Sequence, residues 1–233
     1  AAAPANQPPL ADAPITGKLP VDVDTYPAEL AAIPELEDVA LGTGLMNGRP
    51  ESDGVVRSVP LIMQVGGRPR PSLSLEIARN ALESESIKST PSSLTLGSRT
   101  VPVDKHGRLR LHFGSFPSDK VISAAFVLGK DKQLKTDFFA GKSVIVGMAA
   151  EGTADIAATP LNAEEFGPLV QAQSVDTILR GGWLQRPAWA APAEWGAAAA
   201  IALLALGNAV FGRRYRLLLT LLFIVVPVVS WLL

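Results

Sequence analysis

Side chains able to bind a ligand are concentrated in residues 141–160, whose sequence is GKSVIVGMAAEGTADIAATP. The apolar, β-branched run at residues 143–146 is bounded by glycines, which predicts a short buried strand rather than a helix. A loop of small residues follows and carries Asp155 and Thr159. Because loops that leave buried strands often hold ligands in α/β proteins, we interpret both as candidate ligand-binding residues. The alternative is that Asp155 only caps local backbone amides.

Two segments of this stretch resemble phosphate-binding loops, but neither is complete. Gly147 and Gly152 have the spacing of GxxxxG, yet Thr153 stands where the motif needs lysine. Residues 141–143 read Gly-Lys-Ser, yet Thr136 stands where the first glycine is required. A backbone cradle for phosphates needs both features, so we reject nucleotide hydrolysis.

The sequence also lacks the residue combinations that other catalytic and metal-binding sites require. The two histidines, His106 and His112, have no serine or cysteine partner in a recognisable motif. The absence of cysteine excludes thiolate sites, and two histidines are too few for a histidine metal cluster. A hydrolase that uses Asp155 or Glu151 is disfavoured because neither has a visible histidine or metal partner. We therefore expect no enzyme, no catalytic residues, no metal and no cofactor.

Two further residues extend the candidate ligand site. Gln171 lies near the start of a helix predicted at residues 169–180, whose free N-terminal amides could meet an anionic group. Arg57 begins a predicted strand and could anchor an anion, although a surface ion pair is the alternative. If the ligand does not bind here, the basic strand face of Arg108 and Arg110 is the next candidate. The formal charge of −1 gives no electrostatic case for nucleic acid.

Strand and helix patterns alternate along the chain as far as Pro187. This alternation predicts an α/β fold with a mixed sheet covered by helices. The predicted strands cover residues 39–46, 55–65 and 143–146, with a hairpin over residues 94–113 that turns at 104–107. A glycine pair at 66–67 predicts another turn. The predicted helices cover residues 72–83, 118–129 and 169–180.

The two ends of the chain differ from this central part. Residues 1–38 are rich in alanine and proline and are expected to be extended or poorly ordered. Residues 188–233 contain a linker and two uncharged runs of 17 residues, 195–211 and 217–233, on either side of three arginines. These runs predict a transmembrane helical hairpin in the bilayer. The positive-inside rule places the arginines in the cytoplasm and residues 1–194 outside it.

Several separated segments, taken in order, resemble the CHASE2 sensory domain over residues 39–187. They are Gly44-Leu45 with Asn47, Asp53-Gly54-Val55-Val56-Arg57, Pro71-Ser72-Leu73, Pro102-Val103-Asp104 with Gly107, Gly141-Lys142-Ser143-Val144-Ile145-Val146-Gly147, Asp155, Thr159-Pro160 and Leu179-Arg180-Gly181. The resemblance implies an extracytoplasmic module of a bacterial receptor. It also implies transmembrane helices that lead to a cytoplasmic cyclase or kinase.

The leading functional hypothesis is thus a sensory or binding domain anchored in the bacterial inner membrane. A small ligand or a partner would bias two arrangements of the domain. The family usually starts with a transmembrane helix and an αβ segment before the part that resembles this chain. The sequence shows neither these nor a third membrane helix and an effector, so we expect a fragment or a member that works as a subunit. The second hypothesis is a non-catalytic structural or interaction subunit of a membrane complex. Its partners would be other membrane proteins or a second copy of the chain.

Overall fold

The computed structural model describes residues 14–115, 117, 120–129, 137–149, 155–185, 187 and 189–210. The chain divides into two compact units, Ala1–Leu184 and Gln185–Leu233. The strands are β1 (Ile15–Gly17), β2 (Thr25–Tyr26), β3 (Ser58–Pro60), β4 (Ile62–Val65), β5 (Arg68–Pro71), β6 (Ile87–Thr90), β7 (Ser93–Leu96), β8 (Arg99–Pro102), β9 (Arg108–Arg110), β10 (Ile156–Ala157) and β11 (Glu165–Phe166). The helices are α1 (Pro34–Glu37), α2 (Leu73–Ala81), α3 (Ala124–Leu128), α4 (Gly167–Arg180) and α5 (Ala190–Val210).

The strands of the described residues form four small sheets. The largest has the order β1-β6-β7-β8, with β1 parallel to β6 and the other pairs antiparallel. A three-stranded sheet has the order β2-β4-β5, and β3 pairs with β9 and β10 with β11. The predicted α/β class is therefore confirmed, but several small sheets replace the single mixed sheet that we expected.

Helices α2 and α4 confirm the predictions for residues 72–83 and 169–180. Ser72 begins α2 by accepting a hydrogen bond from the Leu75 amide at 3.2 Å, and Gly181 ends α4 with φ +74°. The two helices contact each other. Both contribute to a core that also takes side chains from the sheets: Val59, Leu61, Ile62, Leu75, Ala78, Ile87, Leu94, Leu96, Val101, Val103, Leu109, Leu111, Val170 and Ile178.

The strand predicted at residues 55–65 is present but divided at Leu61. β3 ends at Pro60 and pairs with β9, whereas β4 pairs with β2 and β5. Proline lacks an amide donor, which accounts for a break in the ladder at this point. The predicted turn at Gly66 and Gly67 is confirmed, because both have positive φ and join the antiparallel strands β4 and β5.

The hairpin predicted over residues 94–113 is wrong in its strand pairing. The turn at residues 104–107 forms, with the Asp104 carboxylate accepting bonds from the His106 and Arg108 amides. However, β8 pairs with β7, and β9 pairs with β3. The alternation of buried and exposed residues in β9 is as predicted, since Leu109 is buried and Arg110 is exposed.

The strand predicted at residues 39–46 is wrong, except for one isolated bridge between Leu45 and Ser72. Its glycines allow the chain to pack closely over the start of α2. Gly42 lies against the Glu76 carboxylate, and Gly44 lies against the backbone of Leu73. A side chain at either position would collide with these groups, so the glycines serve close packing rather than a kinked strand.

The buried strand predicted at residues 143–146 is also wrong. Val144 is 53% exposed and Val146 is 89% exposed, and no described strand pairs with this segment. A β-branched run becomes a strand only where a neighbouring strand accepts its hydrogen bonds. The helix predicted at residues 118–129 is reduced to α3, which Ser123 caps, while residues 118–119 lie outside the described part.

Residues 14–26 contribute two strands that the composition of this segment did not predict. β1 lies parallel to β6, and β2 lies parallel to β4. Residues 1–13 lie outside the described part of the chain.

Helix α5 lies in the second compact unit. The segment Ala190–Gly207 is long and apolar enough to cross a membrane, with a mean hydropathy of 1.4. It begins inside the predicted linker and covers most of the first apolar run. The second run, residues 217–233, lies outside the described residues, so the predicted hairpin stays a prediction.

Candidate functional site

Arg57, one of the predicted ligand residues, is held in an ion-pair cluster. Its guanidinium lies 3.0 Å from a Glu51 carboxylate oxygen and 2.7 Å from an Asp53 carboxylate oxygen. The hydrogen bond from Arg57 is the main reason why the pKa of Asp53 is lowered to about 2, and the same bond raises the pKa of Arg57. Asp53 also accepts a bond from the Val55 amide. This bonding favours the ion-pair interpretation of Arg57 over the ligand anchor.

Thr159 closes a tight turn. Its hydroxyl donates to the Asn162 carbonyl and accepts from the Asn162 amide, both at 3.1 Å. The residue is only 7% exposed. Because the hydroxyl already makes two local bonds, its position favours a supporting role.

Asp155 lies at the start of helix α4. Its backbone carbonyl accepts a hydrogen bond from the Gly167 amide at 3.0 Å, and its carboxylate lies against Gly167. A negative charge is favourable at a helix N-terminus. Asp155 thus places a carboxylate of the protein itself near the position that we expected an anionic ligand to take.

Three segments of the predicted site lie at the start of α4. The strand predicted at residues 143–146, which we expected to lead into this site, is absent from the described sheets. Gly147 packs against Pro168, Asp155 contacts Gly167, and Gln171 lies half-buried one turn further along α4. Arg57 is linked more distantly, because the Val56 amide donates to the Ala158 carbonyl at 2.7 Å. Residues 150–154 of the predicted loop lie outside the described part.

A cleft of about 270 Å³ lies on a different face of α4. One wall is the helix itself, and the other is the segment that follows β9. The amide of the Gln173 side chain joins the walls by donating to the His112 carbonyl at 3.2 Å. The cleft is lined by His112, Gly114, Ser115, Pro117, Lys120, Gln173, Asp176, Thr177, Arg180 and Gly182. We call this the α4 cleft.

The lining of the α4 cleft is polar and carries both signs of charge. Lys120 and Arg180 are cations and Asp176 is a carboxylate. Arg180 donates to Asp176 at 2.8 Å, and both side chains are well exposed, at 68% and 41%. The α4 cleft is a concave site with convergent polar groups, so it is the candidate site, but its side chains are more polar than those of most small-molecule sites, which are mainly apolar.

Sequence reasoning did not find this cleft. The available signal was the spacing of Gln173, Asp176, Thr177 and Arg180, which places four polar residues on one face of a helix. Their opposite wall comes from a distant part of the chain and consists of His112, Gly114, Ser115, Pro117 and Lys120. No motif connects the two walls. The second predicted site, the basic strand face of Arg108 and Arg110, does not present two available arginines. Arg108 pairs with Asp24 at 3.2 Å, whereas Arg110 is exposed.

Helix α4 is followed along the chain by the segment that joins the two compact units. Its last turn is fixed from outside the helix: the Arg99 guanidinium donates to the Leu179 carbonyl at 2.9 Å. Beyond the helix, the Leu184 amide donates to the Arg110 carbonyl at 3.2 Å. The apolar helix α5 begins at Ala190, a short distance along the chain from Arg180.

A family model of the CHASE2 domain matches residues 6–210. No curated protein and no solved structure gave a significant match to the chain. CHASE2 domains are non-catalytic sensory domains that are typical of signalling receptors and lie outside the cytoplasm. The match includes the N-terminal strands and the whole of α5 as well as the segments that carried the resemblance. Because it covers most of the sequence, the chain belongs to the CHASE2 domain family.

Proposed function

We propose that this chain is the membrane-anchored extracytoplasmic sensory domain of a bacterial receptor, and that it senses a small ligand in the α4 cleft. The observation that carries the proposal is the position of the cleft on the last turns of α4. The same helix ends at Arg180, and the apolar helix α5 follows from Ala190. A ligand held there acts on the segment that connects the sensory fold to the membrane.

Signal transfer requires that the ligand binds one arrangement of the domain better than another. The C-terminal part of α4 is held by the bond between Arg99 and Leu179, and the next segment by the bond between Leu184 and Arg110. A ligand between α4 and the opposite wall of the cleft, at His112 and Ser115, changes the balance between these contacts and an alternative position of the helix end. The shift then passes through residues 183–194 to the membrane helices and to a cytoplasmic effector.

The membrane part of the proposal rests on α5 and on the second apolar run at residues 217–233. With Arg213, Arg214 and Arg216 between them, the runs would form a hairpin in the inner membrane that leaves residues 1–194 on the periplasmic side. Ligand contact by Asp155, Thr159, Gln171 and Arg57 stays a prediction. The local bonds of Thr159 and Arg57 favour supporting roles for these two residues.

The coupling can be tested without knowing the ligand. The chain has no cysteine, so a cysteine introduced by Ser115→Cys can be labelled alone with a bulky thiol reagent that fills the α4 cleft. We expect the label to change hydrogen exchange in peptides that cover residues 181–190. The matched control is labelled Lys88→Cys, on the exposed side of β6 outside the cleft. Equal exchange in the two labelled proteins would contradict coupling between the cleft and the linker.

The alternative function is a non-catalytic subunit of a membrane complex, in contact with other membrane proteins or a second copy. It is favoured by the exposed apolar segment at Val144, Val146 and Met148, which are 53%, 89% and 72% exposed. A cyclase or kinase domain encoded in the same reading frame after Leu233 would support the receptor. Stable co-purification with a larger membrane assembly, and no such domain, would support the subunit.

A further inference from the structure

We propose that residues 143–147 form an intermolecular β-strand, which pairs antiparallel with the same segment of a second copy of the chain. This inference names the partner of the exposed apolar segment and does not depend on a ligand in the α4 cleft. It follows from the backbone, the side chains and the residue order of the segment. We call residues 143–147 the VIV segment.

The backbone of the VIV segment is unpaired in the described part of the chain. Residues 142–149 contain no helix, turn or paired strand. Among the described residues, none forms a hydrogen bond with a backbone amide or carbonyl group of residues 143–147. A row of unpaired amides and carbonyls is a template for a strand of another chain. The backbone therefore calls for a β-strand as the partner, rather than a helix or a small molecule.

The side chains of the VIV segment alternate as they do in a strand. Val144 and Val146 are 53% and 89% exposed, whereas Ile145 between them is half-buried. Two positions further on from Ile145, a side chain added at Gly147 would meet Pro168 at the start of α4. Because alternate residues of a strand face opposite ways, one face of the segment lies against the domain and the other presents two valines to solvent.

The residue order of the VIV segment favours a second copy as the partner. Around Ile145 the sequence reads Val-Ile-Val, which is the same in both directions. In antiparallel pairing centred on Ile145, this residue lies opposite its own copy and each Val144 lies opposite a Val146. The four valines are then neighbours on one face, where β-branched side chains pack well. The same surface is used by both copies, as in most dimers.

Charge decides the direction of this pairing. Residues 143–149 carry no charge, and Lys142 precedes them. Antiparallel pairing centred on Ile145 places each Lys142 opposite Met148 of the second copy, so the two lysines lie about 20 Å apart along the strands, at ~3.3 Å per residue. Parallel pairing in register would put the lysines side by side, and like charges directly opposite destabilise a sheet. The antiparallel dimer avoids this repulsion.

The first test is the oligomeric state of the detergent-solubilised full chain, measured by sedimentation at several concentrations. We expect an equilibrium between monomer and dimer. Consecutive amides of a strand point to opposite edges, so the double variant Ile145→Pro with Val146→Pro removes an amide donor from both edges. Its dissociation constant should rise at least about tenfold. The matched control, Ile145→Thr with Val146→Thr, keeps both amides and the β-branched shape and should still dimerise.

Three results of this test would overturn the proposal. The first is a chain that is monomeric at every concentration, and the second is a dimer that the proline variant leaves intact. The third comes from the thermal midpoints of the monomeric variants. The proline and threonine variants should have equal midpoints, because these amides make no bond to the described part of the chain. A lower midpoint of the proline variant would show that the segment pairs within its own chain.

Disulfide cross-linking tests the register. Val144→Cys and Val146→Cys each introduce the single cysteine of the chain at an exposed position. Directly opposite residues have Cβ atoms about 4.5–5.5 Å apart, whereas diagonal neighbours are about 7–8 Å apart, which is too far for a disulfide. A mixture of the two variants should therefore cross-link faster on mild oxidation than either variant alone. Lys88→Cys, on the exposed side of β6, is the control and should not cross-link. Equal rates in the mixture and the single variants would contradict the pairing.

Failure of this proposal can be told apart from failure of the sensory function. If the chain is monomeric but the label at Ser115→Cys changes exchange in the linker, the pairing is wrong and the coupling stands. If the mixed disulfide forms and the label has no effect on the linker, the pairing stands and the sensory mechanism is wrong. A different protein that binds a monomeric chain, and is lost from the proline variant, would assign the strand to another partner and overturn the second copy.

Discussion

The ion pair between Glu76 and Arg79 gives a prediction whose size can be worked out from the structure. Arg79 Nε lies 2.9 and 3.1 Å from the two Glu76 carboxylate oxygens, and Nη2 lies 2.6 Å from Oε1. The side chains are only 4% and 11% exposed. Glu76 in turn lies under Gly42, which has no side chain to separate them. The pair thus anchors the segment of residues 39–46 to α2.

We expect Arg79→Met to reduce the free energy of unfolding by about 3–5 kcal/mol, because it leaves a buried carboxylate without its counter-ion. Two interactions of Glu76 remain, because the Asn80 side-chain amide donates to Glu76 Oε1 at 3.2 Å and the charge of Arg70 attracts the Glu76 carboxylate. The lower end of this range is therefore expected. Replacing both residues, as in Glu76→Leu with Arg79→Met, removes the charge as well as its partner. The double variant should therefore be more stable than Arg79→Met alone.

The measurement is urea unfolding of the solubilised chain. Pulse proteolysis reports the fraction of the first unit that is unfolded at each urea concentration. The matched control is Arg180→Met, because Arg180 pairs with Asp176 at similar distance but in solvent. This exposed pair should contribute less than about 1 kcal/mol. If Arg79→Met lowers the free energy of unfolding by no more than Arg180→Met does, burial does not strengthen the ion pair of Glu76 and Arg79. Additive effects in the double variant would likewise refute the coupling of Glu76 and Arg79.

Three further predictions concern other parts of the chain. The pKa of Asp53 is lowered from 3.8 to about 2, so its bond with Arg57 contributes stability that is present above pH ~4 and is lost as the pH falls towards 2. Thermal midpoints of Asp53→Asn should accordingly show less dependence on pH in this window, and an unchanged dependence would contradict the assignment. Thr159→Val should lower stability by about 1–3 kcal/mol, because the variant loses both turn bonds of a buried hydroxyl; a drop that ligand fully reverses would instead favour a binding role. Cysteines introduced at Ser93 and Gly212 should react with impermeant reagents from opposite sides of the membrane, and labelling of both from the cytoplasm would overturn the orientation.

Local signals in the sequence predicted the elements that depend only on neighbouring residues. Helix α2 has a serine cap and a one-sided apolar pattern, and α4 has proline in its first turn and glycine after its last residue. The glycine pair that joins β4 and β5 takes positive φ in a two-residue turn, which side chains rarely permit. Each of these features acts over a short stretch of chain, so it can be identified without knowledge of the rest of the fold.

Strand pairing was not decided locally. The turn at residues 104–107 formed as predicted, yet the strand after it pairs with β3, which lies far earlier in the chain at Ser58–Pro60. Residues 143–146 have the composition of a buried strand but no partner among the described strands. A β-branched run specifies that a segment can be extended, whereas the hydrogen bonds that make it a strand come from another part of the chain.

The sequence by itself determined the family, the apolar C-terminal segment and the absence of thiolate chemistry, because these depend on residue order and composition. The tertiary structure decided which polar side chains are already bonded within the protein and which line a cleft. Arg57 and Thr159 have the chemistry of binding residues, but folding supplies each with partners from nearby backbone or carboxylates. The polar face of α4 becomes a cleft only because residues such as His112, Ser115 and Lys120 are brought against it. A concave site needs two walls, and here folding brings them together from segments that are far apart in the chain.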